Sequence, residues 1–355
     1  MTSSRPRIPV AILGATGAVG QTFIRLLEGH PWFDIAEVAA SERSAGRRYA
    51  EATRWIEGDL PAAVGNLTVK TCEPTAVRSP IVFSALDSNV AGELEAAFAA
   101  AGHLVLSNAK NYRMEADVPL VIPEVNAAHL QLLDVQRANR GWKGGIVTNA
   151  NCAATMAAMA LAPLHEAFGA RRMFVATMQA VSGAGYPGVP SLDILGNVIP
   201  FIGDEEPKIE REMQKMLGHY AAGAVTAAPF AVSAHANRVA VEHGHTVCLS
   251  VEFERRPSVA DALAAFRAWR GAPEVHGLPS APDEPLHLFE SDDRPQPRRD
   301  VMRGRGMTVS VGRVRVDPLF HPKFVAMGHN TIRGAAGGSI LNAELLVATG
   351  RAGVA

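Results

Sequence analysis

Apolar positions in the first 150 residues come as short runs separated by helix-length segments. Arg7 to Leu13 reads as a buried strand. A glycine turn follows, then a helix from about Gly17 to Glu28 with Phe23, Ile24, Leu26 and Leu27 on its apolar face. Ile35 to Ala40, Ile81 to Ala85 and His103 to Ser107 continue the series, the last preceded by an alanine-rich helix from Val90 to Ala101. Gly145 to Val147 leads into a further helix that begins near Cys152. Strands alternating with helices at this spacing predict parallel βαβ units.

The pattern changes after about residue 170. Arg172 to Val181, Val247 to Phe253, Met307 to Val316 and Phe324 to Ile332 are long and partly alternating. Only two helix candidates interrupt them, Asp204 to Leu217 and Ser258 to Trp269. Few helices among long strands predict a mainly antiparallel sheet. Residues 271 to 300, rich in proline, aspartate and arginine, read as irregular, and Gly334 to Gly350 reads as a helix returning to the first domain. The expected fold is therefore α/β. A Rossmann-like dinucleotide-binding domain (1–151, completed by 334–355) joins an α+β domain with a mainly antiparallel sheet (152–333), which is expected to carry substrate and assembly.

A chain of 355 residues suits two domains. A net charge of −1 without a long basic run disfavours nucleic acid and anionic membrane as partners. No apolar stretch reaches the length of a membrane span, and Met1 to Pro9 lacks the features of a signal peptide. Three scattered cysteines (Cys72, Cys152, Cys248) form neither a disulfide framework nor a metal site, so a reducing cytoplasm and no metal are expected.

Two segments carry chemistry. Gly14-Ala15-Thr16-Gly17-Ala18-Val19-Gly20 lies between the first strand and the first helix, where glycines and helix N–H groups receive a pyrophosphate. The second strand ends in Ser41-Glu42-Arg43-Ser44. Hydroxyls and a guanidinium suit a 2′-phosphate, with Arg47 and Arg48 adding positive charge, so NADP is expected; Glu42 is the counter-argument. Cys152 follows a strand and opens a helix, where backbone N–H groups and the dipole favour thiolate. The bland alternative, a small buried hydrophobe, fits Cys72 and Cys248 better.

The whole chain resembles aspartate-β-semialdehyde dehydrogenases, most closely the fungal and archaeal branch. The likeness rests on the Gly14 to Gly20 turn, Asn151-Cys152, and Gln179-Ala-Val-Ser-Gly-Ala-Gly-Tyr-Pro-Gly188. It rests also on Arg238 with Gly244-His245-Thr246, and on Asn330 to Gly338. The resemblance implies NADPH-dependent reduction of L-aspartyl-4-phosphate to the semialdehyde, with release of phosphate, on the route to lysine, threonine, methionine and isoleucine. It implies Cys152 as the acylated nucleophile, His245 as acid/base and Gln179 beside the thioester. Arg238 would bind the substrate carboxylate, Glu205 its amine, and Arg113 with Lys208 the phosphate. Ser182, Gly183 and Asn342 join the glycine turn, Ser41, Arg43 and Ser44 at the cofactor. A homodimer or homotetramer is implied.

Taken without the resemblance, these residues say less. His245 and His243 are equivalent candidates, and Glu205 and Lys208 could be a solvated ion pair, with Glu206 an equal alternative. The Cys152 N–H and the Asn151 side chain are candidate oxyanion donors. Departures from the family around Ala240, Glu242 and His243 leave a malonyl-CoA-type reductase as the first rival. A non-catalytic NADP sensor is the second.

Overall fold

The structure is a computed structural model that describes residues 6–353. The first five residues, part of the segment read as leaderless, and the last two of 334–355 lie outside it. Seven parallel strands form the first sheet. In spatial order they are Lys70–Thr71, Phe33–Ala40, Ile8–Leu13, Ile81–Ser84, Leu104–Ser107, Gly145–Asn149 and Leu120–Val121. The order reverses between Ile8–Leu13 and Ile81–Ser84, so the crevice beyond their carboxyl ends is the binding position of such sheets. Helix Gly337–Ala348 packs here, its Ile340, Leu341, Leu345 and Leu346 in one cluster with Val10, Ile12 and Val121.

The second sheet is mixed. Its order is Leu286–Leu288, Val309–Arg315, Lys323–Gly328, His245–Phe253, Ala170–Gln179, Ala231–Val239 and Val198–Ile199. Four pairings are antiparallel and two parallel. Strand Ala231–Val239 is absent from the sequence reading because its alanines and serine carry little β-branched or aromatic signal. Helix Glu205–Met216 covers its free edge, with Glu206 and Glu210 accepting the N–H groups of Ala236 and Ala234 at 3.0 and 3.1 Å.

Helix Cys152–Phe168 is the central support of this half, buried at every position from Ala153 to Leu164. Its alanines let the sheet approach closely, and Met173, Val175, Val247 and Leu249 pack against it. The strand predicted over Phe324 to Ile332 stops at Gly328. A π-helical turn, Ile332–Ala336, takes over, because Asn330 is pulled out of line to accept the Gly244 N–H at 2.9 Å and donate to Ser182 Oγ at 2.8 Å. The stretch 271–300 is mostly irregular, as expected, with only short elements inside it.

In that turn Arg333 forms a two-pronged ion pair with Glu124, both groups nearly sealed from water (1% and 3% exposed). Removing one partner of such a pair leaves a buried charge uncompensated. Glu124→Gln is expected to lower unfolding free energy by about 3 kcal/mol, read from urea titration. A loss below about 1 kcal/mol would mean the pair is worth no more than a surface contact.

Candidate active site

Strand Gly145–Asn149 delivers the chain to Asn151, whose side-chain oxygen caps the next helix by accepting the Ala154 N–H at 2.9 Å. Cys152 is therefore the first helical residue, and its Sγ lies 3.1 Å from His245 Nε2. The Ala180 N–H donates to His245 Nδ1 at 3.1 Å. That contact leaves the ring proton of a neutral imidazole on Nε2, directed at the sulfur.

The helix start alone does not produce a thiolate here, contrary to the sequence expectation. Cys152 keeps some exposed surface, yet burial pushes its thiol well up, and the charge of Glu205 adds to this. Arg113, Arg238 and the Ala153 N–H pull it back by less. Burial, then Arg238 and His329, push His245 down to about 3. The resting pair is a thiol facing a neutral imidazole.

His329 is also held near 3 by burial, and His129 near 4. These rings stay uncharged in the folded protein, whereas the unfolded chain protonates them near the usual 6.5. Between those limits the unfolded state binds more protons, so stability falls as pH drops. Urea midpoints at pH 7 and pH 5 should show the fall; equal midpoints would contradict it.

Gln179 and Arg238 face each other in register across neighbouring strands, both buried. Gln179 Nε2 donates to Thr177 Oγ1 at 3.2 Å, and Arg238 donates to the Ala180 carbonyl at 2.7 Å. Gly183 closes over them. A Cβ there would stand 2.9 Å from the Arg238 guanidinium and 3.0 Å from His245 Cε1, which explains a residue without a side chain in the glycine run.

Helix Glu205–Met216 supplies the opposite wall. Glu205 accepts from Asn151 Nδ2 at 2.7 Å and from Lys208 Nζ at 3.5 Å. Glu206 turns away to the strand edge, so Glu205 is the glutamate at the site. Asn151, expected near the oxyanion, also serves as helix cap through Oδ1 and as tether of Glu205 through one hydrogen of Nδ2, with a second amide hydrogen still to give. Arg113 donates to Glu212 at 2.9 Å and to the Asn108 carbonyl at 2.8 Å. Arg113, Lys110, Lys208 and Arg211 line a cavity of about 170 Å³ with Asp204 and Glu212. Sequence reasoning missed Glu212 and Lys215. Their signal was present: Glu205, Lys208, Glu212 and Lys215 recur at steps of three and four, which marks one helix face.

On the first domain, the glycine turn is shaped by close approach. A Cβ on Gly14 would lie 2.5 Å from the Ala85 carbonyl oxygen, and one on Gly20 only 2.3 Å from that of Gly14. Tyr49 Oη and Gln21 Nε2 donate to the Ala15 and Thr16 carbonyls at 2.7 and 3.0 Å and fix the loop. Helix Ala18–Leu27 begins without a side-chain cap, so Ala18 and Val19 could present their N–H groups to a pyrophosphate, while the Gly17 N–H closes the turn onto the Gly14 carbonyl at 3.0 Å. Ser41 and Arg43 are exposed and Ser44 is partly so, in a turn closed by Ser44 N–H to Ser41 O at 2.8 Å. Arg47 and Arg48 turn instead to the Glu51 carbonyl and the Asn66 side chain.

Between the domains lies a cleft of about 430 Å³ lined by Ala18, Val181, Ser182, Tyr186, His243 and Thr331 among others. The Arg54 guanidinium sits 5.2 Å above the ring of Tyr186, one of the lining residues. Asn342 does not reach this cleft. It lies a turn into helix Gly337–Ala348, 1% exposed, with Nδ2 on the Val121 carbonyl at 3.4 Å. Among the described residues no helix is long and apolar enough to cross a membrane.

Residues 9–133 match the family model described as semialdehyde dehydrogenase, NAD binding domain, and residues 161–333 that described as semialdehyde dehydrogenase, dimerisation domain. The chain is 49% identical to an aspartate-semialdehyde dehydrogenase of Archaeoglobus fulgidus, over 96% of this chain and 98% of that one. It is 44% identical to that of Saccharomyces cerevisiae, over 95% and 97%. The crystal structure of aspartate semialdehyde dehydrogenase with NADP from Candida albicans superposes with a TM-score of 0.89 at 42% identity, covering 97% of this chain and 99% of that one. Identity of this degree along nearly the whole length, on the same fold, means that the chain belongs to the aspartate-semialdehyde dehydrogenase family.

Proposed function

We propose that the chain reduces L-aspartyl-4-phosphate to L-aspartate 4-semialdehyde with NADPH, releasing phosphate, through a thioester on Cys152, as a step of amino-acid biosynthesis. The observation that carries this reading is the 3.1 Å approach of His245 Nε2 to Cys152 Sγ at a helix start, beside one carboxylate and two guanidinium groups. An amine, a carboxylate and a phosphate on one small substrate ask for that complement: Glu205, Arg238, and Arg113 with Lys208. A CoA thioester has no amine to satisfy Glu205, and a sensor needs no thiol–imidazole pair.

Cys152 Sγ bonds to the C4 carbonyl carbon as the bond to the phosphate oxygen breaks, and the thiol proton leaves with the phosphate as hydrogen phosphate. NADPH, when bound, supplies hydride to the thioester carbon. The C–S bond then breaks and sulfur departs as thiolate. His245 Nε2–H steadies the charge until a solvent proton restores the thiol. The Cys152 backbone N–H and the second hydrogen of Asn151 Nδ2 are the donors for the carbonyl oxygen. Gln179 borders the thioester.

The glycine turn with Ser41, Arg43 and Ser44 is suited to NADP. A carboxylate at position 41 would repel a 2′-phosphate. Ser41→Asp is therefore expected to narrow the preference for NADP over NAD by about tenfold in kcat/KM, close to 1.4 kcal/mol; an unchanged ratio would place the 2′-phosphate elsewhere. The outer face of the second sheet leaves Phe174, Ala176, Met178, Thr246 and Cys248 partly uncovered, which suits a homodimer, with a tetramer formed by pairing two. Three free thiols suit a reducing cytoplasm.

The direct test is NADPH formation from aspartate semialdehyde and NADP with and without phosphate, run beside malonyl-CoA with NADPH. Phosphate-dependent turnover of the first is expected. Turnover of malonyl-CoA instead, or of neither, would overturn the reading.

A further inference from the structure

Glu212 has no part in the chemistry above, yet its carboxylate is almost fully enclosed at 2% exposure. One oxygen accepts from the Arg113 guanidinium at 2.9 Å. The other accepts the backbone N–H of Asn151 at 2.6 Å, one residue before Cys152. The Arg113 side borders the small cationic cavity, while the Asn151 side is the cap that sets where the nucleophile's helix begins.

Three further contacts limit what else can give. Arg113 spends a second nitrogen on the Asn108 carbonyl. Lys215, one turn beyond Glu212, donates to the carbonyls of Arg113, Glu115 and Val118 at 2.7 to 2.8 Å and so pins the loop that carries the guanidinium. Asn151 is tied by its side chain to Glu205 and to Ala154. The Nε of Arg113 is buried without a partner, so one of its donors is unspent. An anion arriving at Arg113 draws on the same guanidinium that holds Glu212, and the Glu212–Asn151 hydrogen bond responds because the two bonds share one carboxylate.

We infer that Glu212 is a positioning residue that couples anion binding at Arg113 to the placement of Cys152. The inference rests on the proposed reading of Arg113 as a phosphate ligand. Charge-assisted bonds on both oxygens make the link short and directional. A misplacement of about 1 Å at a nucleophile costs on the order of 100-fold in rate.

The test uses the full-length enzyme with inorganic phosphate, aspartate semialdehyde and NADP. In Glu212→Gln the amide oxygen still accepts the Asn151 N–H, while the amide nitrogen opposes the Arg113 donor. The KM for phosphate is expected to rise, and kcat at saturating phosphate to fall, each by at least about tenfold. NADP affinity should stay near wild type, while the melting temperature falls, as it does when a buried pair loses one partner. In Arg113→Gln/Glu212→Gln the KM for phosphate should match that of Arg113→Gln alone within about twofold, because the second change acts through the first. Additive losses, or a Glu212→Gln enzyme within about twofold of wild type in both constants, would overturn the coupling. Should Glu212→Gln fail to fold, Glu212→Asp keeps the charge but shortens the reach, and the same two constants should move in the same directions. An active wild type with an insensitive variant defeats this inference alone; an inactive wild type defeats the functional reading itself.

Discussion

Cys152→Ser is expected to cut phosphate-dependent oxidation of aspartate semialdehyde by at least ~10³-fold in kcat, while NADP binding stays within about twofold of wild type. Sulfur is intrinsically nucleophilic and leaves readily as thiolate; a serine oxygen in the same place does neither without a strong base. This site offers no such base. His245 is buried, its Nδ1 is occupied by the Ala180 N–H, and its pKa lies far below neutrality. Burial that already pushes the Cys152 thiol up would hold back ionisation of a hydroxyl still more. Initial rates and cofactor titration by fluorescence decide the matter. Residual activity above about 1% would mean that turnover does not pass through a thioester.

Gly334→Ala is the second substitution with a large expected effect, although residue 334 touches no reactant. A Cβ on Gly334 would stand 2.7 Å from Cys152 Cβ and 3.0 Å from its Cα, closer than unbonded carbons approach. Relief cannot come from the Gly334 side. Asn149 Nδ2 holds the Gly334 and Ala335 carbonyls at 3.2 and 3.1 Å, and the same turn is anchored by Arg333 to Glu124. The Cys152 backbone must therefore move, and the sulfur with it. We expect kcat to fall by roughly 100-fold for a shift approaching 1 Å, with stability lower by about 1–3 kcal/mol from overpacking. A kcat within about threefold of wild type would show that the π-helical turn is free to give way.

The residues differ sharply in how much they disclose before folding. The parallel sheet was legible because its buried strands are continuous apolar runs set off by glycine and by alanine-rich helices. Family membership was legible from five motifs in order. Cys152 stood out locally, since strand, asparagine and helix start adjoin it in the chain. His245 did not: it lies far along the sequence, and only resemblance separated it from His243. Ala231–Val239 hid because alanine and serine do not advertise a strand. Glu212 hid behind an ordinary surface-helix composition, and the Glu124–Arg333 pair joins residues with no local relation. The thiol's protonation was misjudged for a different reason. A helix dipole is readable from position, whereas burial and the Glu205 charge that outweigh it exist only once the chain has folded. Asn342 was misplaced because one turn of helix separates a cleft wall from a core, and residue order does not say which turn faces where.

The contact between Arg54 and Tyr186 bears on the traffic of dinucleotide. Both side chains are largely open to solvent, and parting a guanidinium from a ring in water costs only about 0.5–1 kcal/mol, comparable with thermal agitation. Such a clasp springs open without help and reseats as easily. Parting this contact therefore adds no appreciable barrier to the exchange of spent for fresh coenzyme.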